Sequence, residues 1–212
     1  MLYAPWGSNP SVSQAVSQSP AFESSRDTGG RGDHGRLGYG SVNHIGNSVG
    51  SMAALASVDL GSGLTAVAVS AGGMHTCVIT SERSVKCWGR NNHGQLGLGS
   101  TDSIGDTIGG MPPPTVNLGS RGNVANRAVA ICSGQRFNCV ITTSGDVRCW
   151  GRGNGGVLGQ DSVQSLGSSQ HDMSNMQPVN LGTDQTATAI SCGERHVCAI
   201  LNDVCKYARA HL

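Results

Sequence analysis

Cysteines offer the most chemistry in this sequence, and they recur at a fixed step. Eight occur in 212 residues. Cys77 and Cys87 stand ten positions apart, as do Cys139 and Cys149, and the second pair follows the first by 62 positions. Facing thiols can oxidise to disulfides, buried thiols can pack as small hydrophobes, and thiolates can hold zinc. Zinc favours cysteines about two to four residues apart, and no such pair is present. Disulfides Cys77 with Cys87 and Cys139 with Cys149, or reduced packed thiols in their place, both remain open. Cys132 and Cys192 fall on neighbouring repeat positions, Cys205 on a broken copy, and no partner is assigned to any of them.

The remaining chemistry-bearing residues read as structural. His75 and His196 share one repeat position with Phe137 between them, and exchange with Phe speaks for packing rather than catalysis or metal binding. Trp88 and Trp150 likewise read as packing residues. Arg31-Gly32-Asp33 spells an integrin-type tripeptide, a three-letter match that chance supplies readily. No Ser, His and Asp grouping, phosphate-cradling loop or metal-ligand cluster is visible, so no catalytic, cofactor or metal residue is assigned and no cofactor is expected.

The cysteines are carried by a repeated phrase. His75-Thr76-Cys77-Val78-Ile79-Thr80 and Val85-Lys86-Cys87-Trp88-Gly89-Arg90 return as Phe137-Asn138-Cys139-Val140-Ile141-Thr142 and Val147-Arg148-Cys149-Trp150-Gly151-Arg152, and a third copy opens at His196-Val197-Cys198. Gly94-Gln95-Leu96-Gly97 becomes Gly156-Val157-Leu158-Gly159. The step of about 60 residues marks a tandem repeat, an architecture that serves as a scaffold or binding surface. Period-two alternation at Ala66 to Val69, Ala128 to Ile131 and Ala187 to Ile190 predicts strands, each followed by a glycine turn and two more strands. Placing Cys139 opposite Cys149 puts Thr143-Ser144-Gly145 in a three-residue hairpin loop, with Gly where a left-handed conformation is required. The first copy has Arg83 at that place.

Composition narrows the class. Gly is abundant, at 32 residues, while aromatic and charged residues make up 4% and 13%. That composition suits short strands and turns better than long amphipathic helices. A formal charge of +1 with no basic run argues against nucleic acid as a partner. No apolar run reaches membrane-spanning length, and the opening residues lack the pattern of a secretion signal.

The order Ala71-Gly72-x-x-His75-Thr76, strand, turn, Val85-x-Cys87-Trp88-Gly89-x-Asn91-x-x-Gly94-Gln95-Leu96-Gly97-x-Gly99 closely resembles the repeat of the regulator of chromosome condensation family. The resemblance implies an all-β fold, a β-propeller with four-stranded antiparallel blades, usually seven. About three blades are expected here as an open ring, since seven would need roughly 420 residues at this step. Members of the family exchange nucleotide on a small GTPase, sense ultraviolet light or inhibit a β-lactamase, so the fold alone does not choose. The photoreceptor branch carries Trp and Arg before His-Thr. Here Gly73-Met74, Gln135-Arg136 and Glu194-Arg195 occupy those places, and light sensing is not expected.

The resulting expectation is a leader over residues 1–30, propeller repeats over 31–205 divided near 31–87, 88–149 and 150–205, and a tail over 206–212. His75, Trp88, Gly89, Gly94, Leu96, Gly97, Trp150, Gly151, Gly156, Leu158, Gly159 and His196 are its structural repeat positions. The function expected is a non-enzymatic protein-binding module with an unnamed protein partner. Guanine-nucleotide exchange on a small GTPase and a structural repeat of a secreted or surface protein are the alternatives. Paired cysteines favour an oxidising compartment. Open propeller edges favour self-association. The variable segments 41–57, 100–115 and 161–178 are where partner specificity is expected.

Overall fold

A computed structural model describes residues 30–121 and 124–202. The expected leader, apart from residue 30, together with Cys205 and the tail, lies outside the described residues.

The alternating segments form strands, as their β-branched content favours. Three run through the first copy, β1 (Ala66–Ala71), β2 (His75–Thr80) and β3 (Val85–Gly89). A short ribbon follows, β4 (Ser120–Arg121) and β5 (Val124–Ala125). The second copy supplies β6 (Ala128–Ser133), β7 (Phe137–Thr142) and β8 (Val147–Gly151), and the third supplies β9 (Ala187–Cys192) and β10 (Val197–Leu201). Two three-stranded antiparallel sheets result, in the orders β1-β2-β3 and β6-β7-β8, with β9 and β10 paired beside them. β1 packs beside β6, and β6 beside β9, so successive blades stack face to face along their first strands.

Register follows from the hairpin loops. Cys77 stands opposite Cys87 and Cys139 opposite Cys149. In the second copy Thr142 and Asp146 close the loop, and Gly145 takes φ +81°. Arg83 holds the same left-handed conformation at φ +63° in the first copy, a conformation that costs a non-glycine residue.

Every residue of β2, β3, β7 and β8 is buried: β7 and β8 lie between the first and third blades, while β2 and β3 are covered by the second blade on one face and by Leu60 and its neighbours on the other. Alternation sorts the side chains of the second blade. Val140 and Trp150 face the first blade, packing with Ile79, Val85 and Leu96. Cys139, Ile141, Val147 and Cys149 face the third, packing with Val197, Ala199 and Leu201.

The blade's fourth strand is reduced to isolated bridges on the outer edge of the third strand, Gly89 with Ile104, Lys86 with Thr115 and Gly151 with Leu166. Between residues 104 and 115 the chain carries Gly105, Gly109, Gly110 and Pro112-Pro113-Pro114. Prolines lack the N–H that a ladder needs, and glycines weaken a strand. The equivalent loop of the second copy instead forms a helical turn, α1 (Gln170–Ser174), started by a reciprocal capping box between Ser169 and Asp172.

Candidate functional site

Facing positions in the hairpins bring the sulfurs together. Cys77 and Cys87 have Cα atoms 4.1 Å apart and Sγ atoms at 2.15 Å, and Cys139 and Cys149 have Cα atoms 4.1 Å apart and Sγ atoms at 2.07 Å. The structure corrects the absence of a partner for Cys132 and Cys192, whose Sγ atoms lie 2.05 Å apart between the second and third blades. Repeat arithmetic hides this pair because adjacent first strands are staggered by one residue. Ser70 and Cys132 are equivalent, facing Cys77 and Cys139, while Ser133 is the equivalent of Cys192. At the first junction Ser133 Oγ accordingly donates to the Ser70 carbonyl at 3.4 Å.

The Gly-Gln-Leu-Gly box forms the seam between the first and second blades. Gln95 is fully buried, and its carbonyl accepts from the Trp150 indole at 3.0 Å and from Asn138 Nδ2 at 2.7 Å. Asn138 Oδ1 accepts from His75 Nε2 at 2.8 Å. Trp88 makes the same contact one blade earlier, donating to the Arg36 carbonyl at 3.0 Å. Gly97 shows why the box ends in glycine: a Cβ there would lie 2.7 Å from Trp150 Nε1. Gly94 abuts the Gly167 and Ser168 backbone, and Leu96 and Leu158 fill the cores of the two seams. Gly89 and Gly151 leave their strands at φ +106°, each against the first residue of the preceding strand. Gly159 lies against Val179, whereas Gly156 has open space where a Cβ would be.

Full burial holds the His75 imidazole at about 4, well below its ordinary value; the Asn138 hydrogen bond opposes this and Arg36 adds to it. The ring is therefore neutral at physiological pH, and its Nδ1 is buried without a hydrogen-bond partner. His196, at the same repeat position in the third blade, is exposed.

Sequence reading did not single out Lys86 and Arg148, which are equivalent and buried on the third strands. Lys86 Nζ donates to the Pro113 carbonyl at 2.6 Å, and Arg148 Nη1 donates to the Met176 carbonyl. Burial lowers the Arg148 pKa, with Asp146 opposing. Their signal was a cation alternating with buried apolar residues, a pattern that ordinarily means an exposed strand face. Each cation ties an inter-repeat loop to its blade.

Those loops carry exposed apolar tips. Val49 and Ile108 occupy equivalent turn positions, each before a glycine with positive φ, at 106% and 98% relative exposure. Val163, on the third loop, is 63% exposed. Arg31 and Asp33 of the integrin-type tripeptide pair with each other at 3.0 Å. Among the described residues no group of three or more His, Cys, Asp or Glu could hold a metal ion, and no helix is long and apolar enough to cross a membrane.

Comparison with known proteins places these features. Models of the regulator of chromosome condensation (RCC1) repeat match residues 66–95 and 128–157, and residues 85–141 and 144–200. The chain is 31% identical over 174 residues to the human "Probable E3 ubiquitin-protein ligase HERC3", covering 82% of this chain and 14% of that protein. It is 30% identical over 154 residues to the mouse "Secretion-regulating guanine nucleotide exchange factor", covering 66% of this chain and 30% of that protein. The fold is similar to that of yeast RCC1 (Prp20) bound to Kap60, with TM-score 0.55 and 17% identity over 81% of this chain and 36% of the other. The chain thus spans less than a third of the length of both curated relatives.

Proposed function

The chain belongs to the regulator of chromosome condensation (RCC1) repeat family, and on that premise we propose that it is a protein-binding module, not itself an enzyme, whose partner contacts are made by the inter-repeat loops. The repeats are assigned to 31–87, 88–149 and 150–205. One observation carries the reading: Val49 and Ile108, at equivalent places on successive copies, hold almost fully exposed β-branched side chains at the tips of their turns. Apolar tips on a rigid scaffold are energetically neutral ornaments until a partner desolvates them, whereupon each contributes about 1.5–3 kcal/mol. Cross-linking mass spectrometry on the full chain tests this. Cross-links to a partner should concentrate on segments 41–57, 100–115 and 161–178, and a Val49→Ser, Ile108→Ser double variant should lose that partner while keeping its melting temperature. An unchanged set of partners would refute the reading.

Nucleotide exchange on a small GTPase is the second reading, favoured by the similarity to the mouse exchange factor. Release of a fluorescent guanine nucleotide from a panel of small GTPases decides it, since no acceleration by the full chain would end that reading. The third reading, a structural repeat of a secreted or surface protein, is favoured by three cysteine pairs at bonding distance. Among the described residues β10 pairs with β9 alone, and an open edge there supports self-association, which a single monomeric mass by light scattering at high concentration would exclude.

A further inference from the structure

One end of the blades gathers arginines that the repeat scaffold does not need. The turns between first and second strands lie there, and so do the exits from β3 and β8. Backbone hydrogen bonds link them: Arg90 N–H donates to the Met74 carbonyl and Arg152 N–H to the Arg136 carbonyl, each at 2.9 Å. Successive turns are linked in the same way, Gly73 N–H to Gly134 at 3.2 Å and Gln135 N–H to Glu194 at 3.0 Å. A continuous belt of turns therefore crosses the blades and bears Arg36, Arg90, Arg136, Arg152, Arg195 and His93.

The guanidinium groups of Arg36, Arg90 and Arg136 are held in place, and the belt as a whole is little neutralised. Arg136 Nη1 lies 3.1 Å from His93 Nε2, Arg90 Nη1 3.1 Å from Met74 Sδ, and Arg36 Nη1 donates to the Gly73 carbonyl at 3.2 Å. Among the described residues the ion pairs at this end are Asp33 with Arg31 and Arg36 and Glu194 with Arg195, leaving Arg90, Arg136 and Arg152 without a carboxylate. The pKa of Arg136 is lowered by burial first and then by Arg152, Arg90 and Arg195, and that of His93 by burial and then by Arg136, Arg152 and Arg90. Crowded like charges destabilise a fold unless an anion relieves them. The opposite end is different in kind: Glu82, Asp146 and Asp184 accompany Arg83 and Arg127 around the hairpin turns.

We propose that this belt is a recognition surface for a short acidic protein segment, separate from the loops discussed above. Partly buried, positioned guanidinium groups suit bidentate carboxylate recognition. The belt is bounded by Asp33 on one side and Glu194 on the other, so it accepts a few carboxylates and repels a longer polyanion. A nucleic acid would need a basic track longer than this, in a chain whose formal charge is +1.

The test uses the full chain with a fluorescein-labelled octaglutamate peptide, followed by anisotropy at low salt and at about 0.5 M salt. Binding should be saturable at low salt and lost at high salt. Replacing Arg90, Arg136 and Arg152 together by Gln should weaken it by about tenfold or more, whereas Arg83→Gln with Arg127→Gln at the opposite end should not. A triple Lys variant, which keeps the charge and guards against misfolding, should bind between the two. The proposal is overturned if the Gln triple binds as the parent does, if the parent does not bind at low salt, or if an oligothymidylate of equal charge binds more tightly than the peptide.

Discussion

The two seams between the three blades share an apolar core and differ in the chemistry set beside it. Between the first and second blades His75 meets Asn138, Ser70 meets Ser133, and the Gln95 carbonyl receives two donors. At the equivalent places between the second and third, Phe137 and Val197 lie in one apolar cluster, and Cys132 meets Cys192. The first seam adds paired donors and acceptors to its packing, while the second depends on apolar area and a covalent tie. Each should therefore fail under a different perturbation.

The largest effect is expected from Trp150→Ala, which removes a fully buried side chain and the donor to Gln95. About 5 kcal/mol should be lost, read from urea unfolding, and only if the first seam is rate- and stability-limiting should both blades melt together. Next comes the tie in the second seam. Cys132 and Cys192 are 60 residues apart, so in the chain-entropy account their bond contributes about 4 kcal/mol, against about 3 kcal/mol for each ten-residue hairpin pair. Cys132→Ser with Cys192→Ser should destabilise oxidised protein by that amount and leave reduced protein nearly unaffected; equal losses in both states would show that the sulfurs do not bond.

A smaller effect should come from converting the polar seam into the apolar one. His75→Phe or Asn138→Val alone strands a buried partner and should cost about 2–3 kcal/mol, whereas the double change, which copies Phe137 and Val197, should recover most of the loss. Additive losses would argue against the pairing. The smallest effect concerns acid. With His75 held at about 4 in the folded chain, the unfolded chain takes up a proton near pH 6.5 that the folded one refuses. The stability from neutral His75 is thus complete above pH 6.5 and drains as pH falls toward 4, by about 2 kcal/mol at pH 5. His75→Phe should flatten that part of the stability profile, and an unchanged slope would place the titration elsewhere.

How much of this was legible depended on whether a contact followed the repeat or crossed it. The hairpins were readable because Cys77, Cys87, Cys139 and Cys149 fix a register by counting, and the strain at Arg83 followed from that count. The family phrase made the propeller readable. The polar seam was not readable, because its hub is the main-chain carbonyl of Gln95, which has no residue signature. Lys86 and Arg148 went unread because a cation on a strand usually faces water. The fourth strand was expected from the family, but Gly105, Gly109 and Pro112 to Pro114 reduce it to bridges at Ile104 and Thr115.

The one-residue stagger between adjacent first strands has a wider consequence. When tandem copies are written as rows of a matrix, a search for covalent links examines columns, where identical positions align. In this geometry the link between neighbours lies on the diagonal, one column to the side, as Cys132 and Cys192 do. Cysteines placed at 70 and 133 would occupy the same diagonal one row earlier, which makes that offset a portable address for stapling any pair of adjoining copies.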